Sequence, residues 1–302
     1  AVFGQRGERV REGRMGLRPL LPVLRSHPID ATHLALQKVH GSAIPETGAQ
    51  RDSSTLFVYD LVERRADTLA ILFGRRVSYE RIDRGVAMYP VPFGPETFVA
   101  TGGGLVWVGD NETPTIRGYR PGARDPEVVV SSPFQPRAVT RAVRSRMRDV
   151  YSTRFSGDTQ KRWARYARSM DFPDEMPWFG QLKVDRLGNL WVQEYEPPWE
   201  EGDQRWAVFS PKGQYLAEVS VPPNALPDCS RGGVYQCNPR SGIFEIGADY
   251  ILLEQSDEWG VRYVRKYAIE KPPQGNADRR LSEAAPNNGH AANSLSLMAL
   301  RR

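Results

Sequence analysis

Apolar and polar positions along the chain alternate in short runs, and the runs recur. A β run ending in an aromatic, a polar turn and a second β run appear together several times. Val2-Phe3 is followed by Gly-Gln-Arg-Gly and Val10, and Leu56-Phe-Val-Tyr59 by a polar turn and Asp67-Thr-Leu-Ala-Ile. Ile116-Arg-Gly-Tyr119 precedes Arg120-Pro-Gly-Ala and Glu127-Val-Val-Val. Trp206-Ala-Val-Phe209 precedes Ser210-Pro-Lys-Gly213 and Tyr215-Leu-Ala-Glu-Val, and Tyr263-Val-Arg-Lys-Tyr267 is the last copy. Phe3, Tyr59, Tyr119, Phe209 and Tyr267 are 56, 60, 90 and 58 residues apart. Three intervals agree within four residues, and the fourth reads as one unit plus an insertion of about 32.

A second signal keeps the same phase. A short apolar run precedes the aromatic run in four places: Thr32–Leu36, Gly104–Val108, Gly188–Val192 and Asp249–Leu253. Two of them are entered through glycine turns, Thr101-Gly-Gly-Gly and Asp185-Arg-Leu-Gly-Asn. Short strands with regularly spaced turn signals predict a sandwich or a radial array. A fixed period of several strands selects the array, because sandwiches do not repeat. No copy can bury both of its faces alone, so neighbouring copies must stack.

The run Val184-Asp-Arg-Leu-Gly-Asn-Leu-Trp-Val192, with Trp206-Ala-Val-Phe-Ser-Pro-Lys-Gly213 after it, resembles the strand pair of six-bladed, NHL-like or TolB-like β-propellers. Ser210 stands where that turn usually carries Asp. The closing segment, Phe244–Leu253 with Asp257-Glu-Trp-Gly-Val and Tyr263, is similar to the last blade of a group of uncharacterised bacterial six-bladed propellers. The resemblance implies an all-β fold over residues 1–270, a β-propeller of four-stranded blades. Five aromatic runs account for roughly four blades where a closed ring of this kind has about six. The expectation is therefore an open arc with its N-terminal part missing. The start at Ala1, with no charged segment leading into an apolar one, reads as a fragment or as a mature form cut inside a domain. Such folds host binding modules, lyases, hydrolases and scaffolds alike, so the resemblance carries little about activity.

One stretch, residues 136–172, changes period. Val139, Val143, Met147 and Val150 recur every three or four residues, and so do Trp163, Tyr166, Ala167 and Met170. This spacing predicts a helical hairpin inserted in the array, with Asp158 as an N-cap and Pro173 as a stop. Residues 271–302, rich in Pro, Gly, Asn, Ala and Ser, read as a disordered tail, with a frayed helical turn at Ser294–Leu300 at most.

Charge sharpens the picture at the hairpin. Residues 137–168 hold ten Arg or Lys and two Asp, a sum of +8, whereas the whole chain is +5, so everything else sums to −3. The hairpin is a candidate anion-binding patch or a solvated helix face. Glu194, Glu196, Glu200, Glu201 and Asp203 follow and could lie against it. Composition excludes more than it selects. Hydrophobic residues at 40%, charged residues at 25%, and 27 Gly with 24 Pro describe a turn-rich globular chain. No apolar run approaches the ~18 residues of a membrane span. Collagen, coiled coil, disulfide miniprotein and membrane bundle are excluded.

Candidate chemistry is sparse. His27, His33 and His40 fall close together, but their spacing fits no ordinary metal motif, and neither His-Glu-x-x-His nor Gly-x-Ser-x-Gly occurs. Gly102-Gly-Gly104 lacks the Lys-Ser/Thr of a phosphate loop and reads as a tight turn. Asp110, Asn111, Glu194 and Asp257 are candidate oxygens for an axial divalent cation of the kind the gluconolactonase type of propeller holds. Trp178 and Trp199 sit in Pro-flanked loops and, with Arg162 and Arg165 of the hairpin, are the candidate binding residues. Cys229 and Cys237 flank a Gly-Gly turn and predict a hairpin disulfide, which implies an oxidising compartment.

The expected function is that of a non-enzymatic, monomeric, periplasmic or secreted propeller. It is expected to bind a small-molecule ligand or protein partner, without cofactor, nucleic acid or transmembrane segment. Two alternatives stay open: a hydrolase or lyase of gluconolactonase or lactonase type with an axial metal, and a binder of anionic polymers through the basic hairpin.

Overall fold

The computed structural model describes residues 2–3, 9–11, 23–39, 47–82, 85–153, 156–200, 202–222, 242–256, 259, 261–270 and 297–301. These residues form an all-β structure with two helices. A small ribbon pairs β1 (Val2–Phe3) with β2 (Arg9–Arg11). The first large sheet is the meander β3 (Val23–Pro28), β4 (His33–Val39), β5 (Gly48–Asp60), β6 (Arg65–Ile82) and β7 (Gly85–Pro90). The second is β8 (Thr97–Gly102), β9 (Leu105–Asp110), β10 (Thr115–Tyr119) and β11 (Val128–Ser131). Helices α1 (Arg141–Thr153) and α2 (Gly157–Ser169) come next. The third meander is β12 (Gln181–Val184), β13 (Leu190–Gln193), β14 (Gln204–Phe209) and β15 (Tyr215–Val221). The fourth is β16 (Ile243–Ile246), β17 (Tyr250–Ser256) and β18 (Arg262–Glu270).

The last strand, β19 (Leu297–Arg301), runs parallel to β15 and antiparallel to β18, joining the third and fourth meanders along their outer edges. Residues 297–300, the described part of the helical turn expected at 294–300, are thus strand. Two neighbouring edges with open N–H and C=O groups offer an extended segment more hydrogen bonds than a short frayed helix could make. The rest of the expected tail, 271–296, lies outside the described residues.

The repeat seen in the sequence has a structural phase. The apolar runs at 32–36, 104–108, 188–192 and 249–253 fall in the second strands β4, β9, β13 and β17. The aromatics Tyr59, Tyr119, Phe209 and Tyr267 lie in the third strands β5, β10, β14 and β18. Phe3, the first of the series, lies in the separate β1–β2 ribbon.

The sheets stack face to face in chain order. Ala35, Leu56, Val58 and Leu72 of the first sheet pack with Val106 of the second. From the opposite face of β9, Leu105 and Trp107 pack with Leu182, Leu190, Val192, Ala207 and Phe209 of the third. The other face of the third sheet, through Trp191, Trp206, Val208 and Val219, meets Ile243, Ile251, Leu253 and Tyr267 of the fourth. Both faces of the middle sheets are buried, which is why β9 and β13 read as nearly continuous apolar runs.

First strands meet at one end. Thr101 Oγ1 donates to the Pro28 carbonyl at 2.8 Å, and the Arg186 N–H donates to the Ile246 carbonyl at 3.1 Å. Between them Gly103 and Gly188 touch, each at positive φ (61° and 84°); a Cβ on either would lie 2.9 Å from the other's Cα. At this end the turns within the meanders are short, the longest being residues 120–127, and the connection from β18 to β19 also begins and ends here. The strands alternate in direction, so all remaining connections leave from the opposite end. They range from the two residues between β6 and β7 to the stretch 132–180 with both helices. No helix among the described residues is long and apolar enough to cross a membrane.

Candidate functional site

The long-connection end is built up from its own core. Strands β5 and β6, of 13 and 18 residues, extend past the rest of the first sheet and carry β7 beside them. Tyr89 and Phe93 on and after β7 form a seat for the hairpin. The hairpin supplies Met147, Trp163, Tyr166, Ala167 and Met170 of the stripe its helical spacing predicted, with Tyr151 buried in place of the expected Val150. Tyr89 stacks on Tyr166 with centroids 4.3 Å apart and meets Trp163 edge-on at 5.1 Å. The Tyr166 hydroxyl donates to the Pro90 carbonyl at 2.9 Å, and burial raises its pKa well above the usual phenol range. The N-cap of α2 is Ser156, and Asp158 falls inside the first turn, where a carboxylate favours the helix dipole without capping it. Met170, extended, ends the helix before Pro173 is reached.

The other flank of the hairpin rests on the third sheet, through the connection from β13 to β14. Trp199 packs into the hairpin core with Phe93 at 6.1 Å, and the Arg146 guanidinium lies 5.1 Å above its ring. Arg137, just before α1, donates to Glu200 at 2.6 Å and to the Tyr195 carbonyl at 2.8 Å. The hairpin therefore forms an arch from the first sheet to the third, across the end of the second. Inside the β13–β14 connection, burial and the neighbouring Glu194 and Glu200 push Glu196 up to a pKa of about 7.

The four binding candidates do not form one cluster. Arg162 and Arg165 are exposed on α2. Arg162 reaches Thr159 Oγ1 at 3.5 Å, and Arg165 lies 3.8 Å from Glu80 of β6. Trp199 is held against α1, on the other flank. Trp178 is half-buried against the core between the second and third sheets, and its N–H donates to the Asn111 carbonyl at 2.9 Å.

Several hairpin cations are already occupied. Arg137 pairs with Glu200, Arg144 with Asp174 and Lys161 with Asp158, and Arg148 lies over Phe172. Of the acidic stretch that follows, Glu200 meets this segment. Glu194 instead holds Arg205, and Asp203 accepts from Ser220.

The candidate metal oxygens are committed elsewhere. Asp110 accepts from Arg51 at 2.8 Å and from Thr97 at 3.1 Å. Asn111 is buried, accepting from the Glu96 N–H and donating to the Phe179 carbonyl. Asp257, His40, Cys229 and Cys237 lie outside the described residues. His33 contacts Asp30 and Asp60 at a strand turn, while His27, on β3, is half-buried. Among the described residues no three His, Cys, Asp or Glu side chains are grouped to hold a metal ion.

Sequence reasoning missed the seat. Its signal was the unusual length of the alternating stretch from Arg65 to Ile82, followed by Pro90-Val-Pro-Phe-Gly-Pro95. It also treated Glu196 as one member of an acidic run, since partial burial inside a loop leaves no pattern. No protein-family model matches this chain, and no curated protein matches it.

Proposed function

We propose that this chain is a non-enzymatic binding module of β-propeller type, taking a ligand or protein partner at the end that carries the helical arch. In this reading the four meanders are roughly four of six blades in an NHL-like or TolB-like ring, a single unit over residues 1–270. With Cys229 and Cys237 paired, the setting is periplasmic or extracellular. The observation that carries the reading is the segregation of connections. Within the meanders the turns at one end are of eight residues or fewer, and the excursion with both helices, 132–180, leaves from the other end. Strands committed on both faces to neighbouring sheets cannot vary, so recognition falls to the excursions. The axial-metal alternative is weakened because Asp110, Asn111 and Glu194 already satisfy protein partners. The anionic-polymer alternative is weakened by the ion pairs that already engage Arg137, Arg144 and Lys161.

A photo-crosslinking residue placed at Arg162, on the arch end, and another at exposed Leu187, on the short-turn end, test the reading in the full chain. Crosslinked partners recovered from position 162 and absent from 187 are the expected result. Partners recovered from 187 alone, or equally from both positions, would remove the assignment of this end.

A further inference from the structure

The first and second sheets pack together through Val58, Leu72 and Val106, but at the short-turn end they part. Between the β5–β6 turn and the β10–β11 turn lies a cleft of about 360 Å³. Val58 and Leu69 line it and continue into the core between the two sheets, so its apolar surface is anchored rather than mobile.

Both walls are held in shape by their own hydrogen bonds. In the β5–β6 turn, the Asp60 carboxylate accepts from the Val62 N–H at 2.7 Å and the Glu63 N–H at 3.0 Å, and Arg64 takes a positive φ of 56°. In the β10–β11 turn, Pro121 and Gly122, the latter at φ 81°, form the two corners of a tight turn. The Ala123 N–H closes it on the Arg120 carbonyl at 3.1 Å. Arg120 and Glu127 pair across the base of this loop, and the Glu127 N–H donates to the Gly118 carbonyl at 2.9 Å. A ligand entering the cleft therefore has little loop ordering to offset.

The polar lining is unequally committed. Arg65 spends Nε and one Nη on Asp67, at 3.2 and 2.8 Å, which neutralises that carboxylate. Arg124 is exposed and has no hydrogen bond or ion pair among the described residues. Two guanidiniums and one carboxylate leave the lining at +1, with an unspent planar fork beside an apolar surface. A guanidinium fork matches a carboxylate with two parallel N–H bonds. An inorganic anion would leave Val58 and Leu69 uncovered, and a second negative group on the ligand would meet Asp67. We propose that this cleft is a binding site for a small monocarboxylate with an apolar body, its carboxylate on Arg124 and its body against Val58 and Leu69. The site lies at the opposite end of the sheets from the arch and stands whether or not a partner binds there.

Calorimetric titration of the full-length protein with 3-phenylpropionate at low ionic strength tests this. A Kd of about 1 mM is expected for a probe of this size. Binding should weaken roughly tenfold in Arg124→Gln, which removes the charge from an exposed turn, and should be unchanged in Arg162→Gln at the arch end. The uncharged analogue 3-phenylpropan-1-ol, which keeps the body and needs no variant, should also bind roughly tenfold more weakly to the wild type. No saturation by about 20 mM would overturn the assignment. So would undiminished binding by Arg124→Gln or of the alcohol, an equal loss in Arg162→Gln, or displacement of the probe by equimolar inorganic phosphate.

Discussion

The carboxylate of Asp185 accepts four hydrogen bonds. They come from the Leu187 N–H at 2.9 Å, the Asn189 N–H and Nδ2 at 2.8 Å each, and the Trp191 indole at 3.0 Å. This explains the Asp-x-x-Gly-Asn-Leu-Trp spacing in physical terms. Asp closes the turn, Gly188 supplies positive φ, and Asn and Trp bring the donors that satisfy a buried carboxylate. Asp185→Ala strands those donors in a site that is 8% exposed. A loss of about 3 kcal/mol is expected, read as a lowered urea midpoint at unchanged slope. At Ser210 the hydroxyl accepts from the Lys212 and Gln214 N–H groups, so the departure from Asp at that turn keeps the same role. Asp60 illustrates a different consequence. The Glu63 and Val62 N–H groups hold its carboxylate below the ordinary value, so its contribution is present above about pH 4 and disappears as pH falls further. The stability difference between wild type and Asp60→Asn should shrink on acidification below that value, as thermal midpoints from pH 6 to pH 2.5 would record.

At the scale of elements, the strands were legible because each middle sheet buries both faces. Their contacts were not, because periodicity says which face is apolar and never what covers it. The turn pair Gly103 and Gly188 shows the limit. Both positions read as tight turns, yet they sit in two sheets, 85 positions apart in sequence, so close that a Cβ on either would lie 2.9 Å from the other's Cα. Gly188→Ala would combine positive φ with a backbone collision and should cost about 2 kcal/mol, seen as a lower thermal midpoint, with faster exchange of the β8–β9 and β12–β13 turns. The hairpin followed the same rule. Its stripe was legible from i, i+3, i+4 spacing. Its seat was not, because β7 and the loop after it lie some seventy residues upstream.

For the molecule as a whole, β19 completes the outer edge of the fourth meander and covers that of the third. Removing residues 297–302 would open the outer edges of β15 and β18, strands of seven and nine residues. Exposed, long strand edges invite pairing with other chains. The truncated protein should begin to scatter light at a lower temperature than the full chain. Equal onset temperatures would mean that those edges are protected without β19.

Sequence alone determined the β class, the recurrence of the second and third strands, the two helices between β11 and β12 and their buried stripe. These follow from local periodicity and turn chemistry, which act within a few residues of each other. Only the tertiary structure decided that Trp178 and Trp199 serve different cores and that hairpin arginines meet Glu200 and Asp174. Those facts depend on which distant segments the stacked sheets bring together, and burial and charge neighbours are properties of that assembly that no spacing along the chain encodes.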